Sequence, residues 1–209
     1  MKINQPKIRI SQDSTIQDCL IDNLFYNTNF ENNQVDVDIE ISDTEINSCI
    51  FKNIDFTNIS LTNVSLIDVI FDNCDLSSKT FDNKLIGRVL FKGCKMTGTI
   101  FNECSISDLQ FIECQAKYMN LSNSRIKNLI IDSSNLSESR FDELELKNIE
   151  FNSVDFTKSE FFRTKLNDID FSTSDIEGIM FDTFSVKGIY INSFQSYILV
   201  NMLGIKIKD

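Results

Sequence analysis

A bulky apolar residue recurs at every fifth position over most of this chain. In the stretch FKNIDFTNISLTNVSLIDVIFDNCDL the bulky residues are Phe51, Phe56, Leu61, Leu66, Phe71 and Leu76. Continued in steps of five as far as Ile191, this register has 29 positions, of which 13 are Phe, seven Leu and six Ile. Neither an α-helix, with about 3.6 residues per turn, nor a strand, which alternates, has this period. A repeat of this length determines the fold ahead of local propensity.

The repeat predicts a square coil. The position two before each bulky residue is nearly always small or apolar, as at Cys49, Val64 and Ser134, and the other three positions are mostly polar. Two inward and three outward residues per five describe a short side followed by a corner, and four sides close a coil of 20 residues. Residues 20 apart should then stack. Two opposite sets are rich in Phe, and the two sets between them are aliphatic. The Phe-rich sets include Phe51, Phe71, Phe91 and Phe111 on one side, and Phe81, Phe101, Phe141 and Phe161 on the other. We therefore predict an all-β parallel solenoid with about 4.8 Å per coil.

The register also divides the chain. Ile41 and Ile46 continue it upstream, whereas Phe25 and Phe30 fit a register shifted by one residue, so a slip falls within residues 31–40. We predict an unassigned N-terminal segment at 1–15, the solenoid at 16–192, and a C-terminal capping and dimerisation helix with a tail at 193–209. We also expect Lys79 and Lys84, charged at inward positions, to mark a distortion around residues 77–90 that offers a second contact surface.

Composition excludes several classes of function. The formal charge of −11 argues against direct binding of nucleic acid, whose phosphates require Lys and Arg, but permits a basic partner, including a protein surface that normally holds DNA. Histidine is absent, and no two of the six cysteines form a CxxC pair. We therefore expect no catalytic residues, no metal site, no cofactor and no enzyme. The cysteines fall mostly at inward repeat positions and should be inert core residues.

The expected location is the cytoplasm. The chain has no apolar run of about 18 residues that would span a membrane. The start, MKINQPKIRI, lacks the apolar region of a secretory signal. We therefore predict neither a membrane partner nor secretion.

Four aspartates are the candidate contact residues. They occupy the position before the bulky residue on one face and form two pairs, Asp55 with Asp75 and Asp155 with Asp175. The two members of each pair lie one coil apart. Like charges placed one strand spacing apart are mildly destabilising, and a basic partner surface would relieve that cost. The alternative is that each aspartate bonds locally to the backbone at a corner. Two stacked aspartates could also act as an acid/base pair in a carbohydrate-cleaving enzyme, but the uninterrupted register leaves no cleft for a substrate. A second acidic run is interpreted as a solvated surface: Glu138, Asp142, Glu143, Glu145 and Glu150.

The C-terminal segment predicts a helix and a dimer. Ser193 is a plausible N-cap, and Gly204 stands where a helix would end in the left-handed conformation. The segment is more apolar than one covering face requires. The residues predicted to lie in a two-fold interface are Phe194, Tyr197, Ile198, Leu199, Met202, Leu203 and Ile205. The alternative is a simple monomeric cap.

The chain resembles a known family, the pentapeptide-repeat proteins, whose A(D/N)LXX units fold as a right-handed quadrilateral β-helix. Within that family it looks most like the Qnr-type quinolone-resistance branch. The matching segments are NCDLSSKTF at 73–81, GCKMTGTIF at 93–101, and FQSYILVNMLGI at 194–205, which resembles the Q-x-x-LL-x-x-LGI dimerisation helix of that branch.

The resemblance implies a homodimeric DNA mimic that binds type II topoisomerases, chiefly DNA gyrase and also topoisomerase IV, and protects them from quinolones. Many Qnr-type proteins carry projecting loops that contribute to protection. Here the register runs from Ile41 to Ile191 without a gap, so no such loop fits. The rival interpretation is an interaction scaffold whose protein partner is not a topoisomerase, because a fold does not determine its partner.

Overall fold

The computed structural model describes residues 2–202 and 204–206 as a stack of coils. A short strand and a helix precede the stack, β1 (Gln12–Asp13) and α1 (Ile16–Asp22). The main sheet continues through β2 (Thr28–Glu31), β3 (Ile39–Lys52), β4 (Ile59–Asp72), β5 (Leu85–Lys92), β6 (Ser105–Ile112), β7 (Arg125–Asp132) and β8 (Glu145–Asn152). The chain ends with β9 (Glu160–Phe161), β10 (Met180–Phe181) and α2 (Ser196–Met202).

The strands form a parallel solenoid of about 8 turns. Strands β1 to β8 lie in one sheet in sequence order, and β9 pairs with β10. From β3 onwards the paired residues are 20 apart, as in Ile41↔Leu61, Phe51↔Phe71 and Asp170↔Tyr190. Between β2 and β3 they are 21 apart, as in Phe30↔Phe51. The predicted class, a right-handed quadrilateral parallel β-helix with a short C-terminal helix, is confirmed.

Two columns of phenylalanine fill opposite sides of the coil. On one side the rings of Phe71 and Phe91 stack with centroids 4.9 Å apart, and those of Phe91 and Phe111 follow at 5.3 Å. On the other side Phe81 and Phe101 stack at 4.9 Å. The columns meet across the core, where Phe91 and Phe101 make an edge contact at 6.1 Å. All these rings are buried, so the period of five is the period of the core.

Both ends of the rod carry a helix. α1 begins after Thr15, whose hydroxyl accepts from the backbone N–H of Asp18, and it buries Ile16 and Cys19 against the first coil. This helix lies inside the range that we assigned to the solenoid. α2 begins at Ser196, three residues beyond the expected N-cap Ser193. In the turn before it, the side-chain oxygens of Asn192 and Gln195 each accept the other residue's backbone N–H. No helix among the described residues is long and apolar enough to cross a membrane.

The distortion expected around residues 77–90 is confined to one interrupted pairing, because Glu40 pairs with Ser60 and Thr80 with Ile100 but no bridge joins Ser60 to Thr80 among the described residues. Leu66 pairs with Ile86, so the 20-residue offset continues through this segment. Lys79 turns its amine outward, where Nζ donates to the carbonyl oxygen of Thr57 at 3.3 Å. A long side chain can leave an inward position by reaching its charge to the surface. The second contact surface predicted there stays a prediction.

Candidate interaction surfaces

The four predicted aspartates lie in one column but form two separate pairs. The column runs Asp55, Asp75, Lys95, Gln115, Asn135, Asp155 and Asp175. Asp55 therefore neighbours Asp75, and Asp155 neighbours Asp175, whereas four coils or about 19 Å separate the pairs. Lys95 Nζ lies 3.9 Å from a carboxylate oxygen of Asp75. The structure brings the aspartates together two by two, with a neutral to basic stretch between the pairs.

Each aspartate of the column also stabilises its own corner. Asp55 accepts the backbone N–H of Thr57 at 2.8 Å, and Asp155 accepts that of Thr157 at 2.9 Å. Hydrogen bonds from Thr57 lower the pKa of Asp55, so this carboxylate is charged at neutral pH. Asn135 makes the same bond to Ser137 N–H at 2.9 Å. The corner therefore does not need a charge at this position, and Lys95, which has no acceptor oxygen, occupies the same column.

Cations collect on the opposite side of the rod. Residues ten apart lie two sides of the square apart, so the column of Arg125 and Glu145 faces away from the aspartate column. A groove there is lined by five cations and one carboxylate: Arg125, Lys127, Lys147, Arg163, Lys165 and Glu145. The charge of the rod is thus uneven. A basic partner would meet the aspartate side rather than this one.

The second acidic run does not form one patch. Glu138 pairs with Lys117 at 2.9 Å, Glu145 pairs with Arg125 at 2.9 Å, and Glu143 pairs with Arg163. Glu143 and Glu145 line one pocket together, whereas Glu138 lines a different one. Exposed ion pairs of this kind contribute little to stability. The structure is in keeping with the solvated surface inferred from the sequence.

The C-terminal end presents the predicted interface residues at the surface. Phe194 is 89% exposed, and Tyr197, Met202 and Ile205 are also exposed. Ile198 and Leu199 are partly buried against the core. None of the seven residues of α2, all of them described, is buried. Leu203 lies outside the described residues.

Gln195 fixes this end to the last coils. Its side chain is buried, and Nε2 donates to the carbonyl oxygens of Phe171 at 2.8 Å and Ser174 at 2.7 Å. At the end of a stack no further coil supplies N–H groups, so the backbone carbonyl oxygens need another hydrogen-bond donor. The helix is therefore attached through this polar anchor and through Ile198 and Leu199, while Tyr197 and Met202 stay exposed.

The six cysteines are free and buried, as the repeat predicted. Burial raises the pKa of Cys49 to about 11 and also raises that of Cys104, so these thiols stay protonated at neutral pH. Cys104 Sγ donates to the carbonyl oxygen of Phe81 in the preceding coil. Ser124 Oγ makes the equivalent bond to Phe101. The inward small residue thus has a structural role.

Sequence reasoning missed the N-terminal arm, residues 2–11, which runs along the outside of the rod. Asn4 N–H donates to Asp108 at 3.0 Å, Lys7 N–H to Asp68 at 2.8 Å and Arg9 N–H to Ser48 at 2.6 Å. These acceptors belong to one corner column, here named the corner ladder, which consists of Ser48, Asp68, Arg88, Asp108 and Asn128. The arm therefore crosses successive coils at right angles to their strands.

The charges of the corner ladder are mutually satisfied. Arg88 Nη2 donates to Asp68 at 2.6 Å, and Asn128 donates to Asp108 at 2.8 Å. Burial alone would raise the pKa of Asp68, but hydrogen bonds from Arg88 and from Lys7 N–H outweigh it and lower the pKa. Burial would likewise raise the pKa of Asp108, but hydrogen bonds from Asn4 and Asn128 outweigh it and lower that pKa too. Both carboxylates are therefore charged beneath the arm.

A sequence signal for the arm does exist. On the side next to the corner ladder, outward positions that are usually polar in this repeat hold Ile50, Ile70, Leu90 and Ile130. These four are only partly exposed although strand alternation points them outward. In the same column Gln110 is buried and exchanges two hydrogen bonds with Gln5 of the arm, at 3.0 and 3.3 Å. An apolar outward column thus marks a covered side of the rod.

Comparison with known proteins gives a family and no close relative. Residues 64–141 match the pentapeptide repeat region, and residues 41–77 match the pentapeptide repeats in eight copies. No curated protein matches the chain by sequence.

Solved structures with a similar fold include HetL, a pentapeptide repeat protein involved in heterocyst differentiation regulation from the cyanobacterium Nostoc sp. It is 12% identical, with 90% of this chain and 93% of HetL covered and a TM-score of 0.41. Full-length QnrB1, a plasmid-mediated fluoroquinolone resistance protein, is 16% identical, with 94% and 99% covered and a TM-score of 0.36. A trypsin-treated QnrB1 variant is 18% identical, with 95% and 96% covered and a TM-score of 0.37. The two family matches overlap and lie within one uninterrupted 20-residue register, and the chain is a pentapeptide-repeat protein.

Proposed function

We propose that this protein is a cytoplasmic DNA mimic that binds a type II topoisomerase, DNA gyrase or topoisomerase IV, and protects it from quinolones. One observation carries the proposal. The aspartate column holds four carboxylates at corners where Asn135 shows that an uncharged side chain makes the same hydrogen bond. The fold does not require these charges, so a basic partner accounts for them better than the corner does.

The dimensions of the rod support duplex mimicry. About 8 coils at roughly 4.8 Å each give about 38 Å, close to one turn of B-DNA at about 34 Å. A two-fold dimer through α2 would place two such rods end to end and present both sets of aspartate pairs. The exposed Phe194 and Tyr197 supply the apolar surface for that contact. The C-terminal motif, which resembles the Qnr-type dimerisation helix, supports the same assembly.

The test is gyrase supercoiling in a quinolone titration, with and without the purified protein. Protection would move the half-inhibitory drug concentration upwards. Two variants each remove two charges while keeping the corner acceptor: Asp55→Asn with Asp75→Asn, and Asp155→Asn with Asp175→Asn. At roughly 0.5 kcal/mol for each exposed charge, each variant should bind gyrase about fivefold more weakly and shift the curve correspondingly less.

The matched control removes two charges from other sides of the rod. Asp170 and Asp182 make the same corner bonds, to the N–H groups of Ser172 at 2.7 Å and Phe184 at 3.0 Å. Asp182 also accepts the N–H of Arg163 at 2.6 Å, so the control perturbs the backbone at least as much as the test variants do. Asp170→Asn with Asp182→Asn should still protect gyrase as the unmodified protein does. Equal losses in all three variants would count against the aspartate column. No shift of the drug curve and no inhibition of gyrase at high protein concentration would favour a scaffold with a different protein partner.

A further inference from the structure

The corner ladder holds the arm mainly through groups that any extended peptide possesses. The donors at Asn4, Lys7 and Arg9 are backbone N–H groups, and every residue except proline has one. Asn4 and Lys7 are three residues apart, and their acceptors Asp108 and Asp68 are two coils apart. Two coils measure about 9.6 Å, or about 3.2 Å per arm residue, which is the rise of an extended strand. Lys7 and Arg9 are two residues apart and their acceptors one coil apart, or about 2.4 Å per residue, so the ladder fits a chain that is extended from Asn4 to Lys7 and more compact after it.

Charge adds selectivity to this backbone recognition. The arm carries Lys2, Lys7 and Arg9 and no acidic residue. Beneath it the corner ladder has two buried carboxylates, Asp68 and Asp108, against the single cation Arg88. An extended segment rich in Lys and Arg fits this surface better than a neutral or acidic one.

The arm can leave without opening the core. Among the described residues the buried core begins at Ile16, beyond the arm. The arm's apolar residues Ile3, Pro6 and Ile8 are only partly buried, and β1, which follows the arm, is held separately by pairing with β2. Detachment would uncover the ladder and the outward apolar column beside it while the coils stay stacked.

We propose that the corner ladder is a docking surface for an extended cationic segment of a partner protein, and that the N-terminal arm occupies it as an internal competitor. The tether gives the arm a high effective concentration, on the order of mM, so a partner segment binds well only after the arm is displaced. This inference is independent of topoisomerase binding, because it concerns a different side of the rod.

The test measures fluorescence anisotropy of a labelled synthetic peptide with the sequence of residues 2–11. Its receptors are the unmodified full chain and a full chain carrying Asn4→Pro, Lys7→Pro and Arg9→Pro. The three prolines remove all three backbone N–H donors and the Asn4 side-chain bonds to Asp108, which leaves Gln5 as a remaining polar contact, so the tethered arm is released without a change in length. If the arm closes the ladder for about 90% of the time or more, the peptide should bind the released chain at least about tenfold more tightly.

Two further substitutions locate the binding site within the released chain. Asp68→Asn with Asp108→Asn should weaken peptide binding by about tenfold or more, since charged acceptors become neutral. Asp168→Asn is the matched control, because Asp168 has the same corner conformation in the same column but no arm contact among the described residues. It should leave peptide binding unchanged. A peptide that itself carries the three prolines should not bind.

Three results would overturn the proposal. The released chain could bind the peptide no more tightly than the unmodified chain, although its circular dichroism and melting temperature show that it is folded. Asp168→Asn could weaken binding as much as the ladder substitutions do. Unlabelled full-length protein could displace the peptide as efficiently as unlabelled peptide does, which would make the arm of a second copy the occupant instead of a partner protein.

Discussion

At the scale of single residues, the corner is the most demanding part of this fold. Asn53, Asn73 and Arg88 all have φ between 53° and 55°, the left-handed region that side chains with a Cβ disfavour. Neighbouring coils compensate, because Asn53 N–H donates to the carbonyl oxygen of Asp72 at 2.9 Å and Asn73 N–H to that of Lys92 at 2.8 Å. The frequent Asn and Asp at this position suit the conformation. Even Arg88 is held there, since the stack determines the backbone.

The bulky residue of each repeat was predictable because burial has a clear period. The left-handed corner was not, because Arg88, Tyr118 and Lys158 occupy it as well as Asn and Gly. Because backbone bonds between coils hold many residue types in this conformation, the sequence shows no residue pattern that would identify the corner. The aspartate column and its two pairs were visible in the sequence, because residues 20 apart stack, whereas the ion pair between Lys95 and Asp75 needed the structure.

Shortening a ring in the phenylalanine column tests the core at this scale. Phe91 stacks on Phe71 at 4.9 Å and on Phe111 at 5.3 Å, and it is fully buried. Phe91→Ala should lower the free energy of unfolding by about 3–5 kcal/mol, because neighbouring coils cannot close the cavity. Urea unfolding followed by circular dichroism measures this. Phe194→Ala, at a residue 89% exposed, is the control and should change it by less than about 0.5 kcal/mol. Equal effects would refute the stacked core.

At the scale of elements, the two segments missed from sequence lie outside the repeat. α1 has a capping pair, Thr15 and Asp18, whose side chains bond at 2.7 Å, but the helix is only seven residues long and shows little periodicity. The arm has no regular secondary structure. Its path depends on contacts with residues 39 to 105 positions away in sequence, such as Arg9 with Ser48 and Gln5 with Gln110. Local propensity cannot encode contacts at that separation.

Docking of the arm should depend on pH in a defined direction. The pKa values of Asp68 and Asp108 are lowered by hydrogen bonds that outweigh burial, including bonds from the arm, and Arg88 lies between the two carboxylates. A carboxyl group whose pKa is lower in the folded state stabilises that state at pH values above its unfolded pKa, about 3.9. That stabilisation is lost as the pH falls through the lower pKa of the folded state. The arm should therefore be docked at neutral pH and should detach in acid, below about pH 3.9.

Amide proton shifts of Asn4 and Lys7 measure this transition by nuclear magnetic resonance. Both should stay constant from pH 7 to about 5 and then move together towards the values of an unbonded amide. The variant with Asp68→Asn and Asp108→Asn should show no such titration. A midpoint above about 3.9 in the unmodified protein would contradict the lowered pKa values.

At the scale of the whole molecule, the two ends of the rod expose apolar side chains of comparable size. Ile21 and Leu24 are exposed at the N-terminal end, and Phe194 and Tyr197 at the C-terminal end. The ends differ in what underlies them. α1 buries two residues in the core, whereas α2 buries none of its seven, so α2 presents less of its own apolar surface to the coils. The surface left over is what a second copy would cover.

The C-terminal dimer is therefore expected to separate when charge is placed at that end only. The unmodified protein should have twice the chain mass of 24.0 kDa by size-exclusion chromatography with light scattering. Phe194→Asp with Tyr197→Asp should give the single-chain mass and the same circular dichroism, since neither residue is buried. Leu203→Asp is expected to act in the same way.

Ile21→Asp with Leu24→Asp is the matched control, because these side chains are 81% and 63% exposed at the opposite end of the rod. It should keep the dimer mass. If both pairs of substitutions leave the mass unchanged, the two-fold contact does not run through α2. If only the N-terminal pair of substitutions separates the dimer, the rods join through α1. The opposite ends of the rods then meet, so the aspartate pairs of the two copies lie in the reverse order along the assembly.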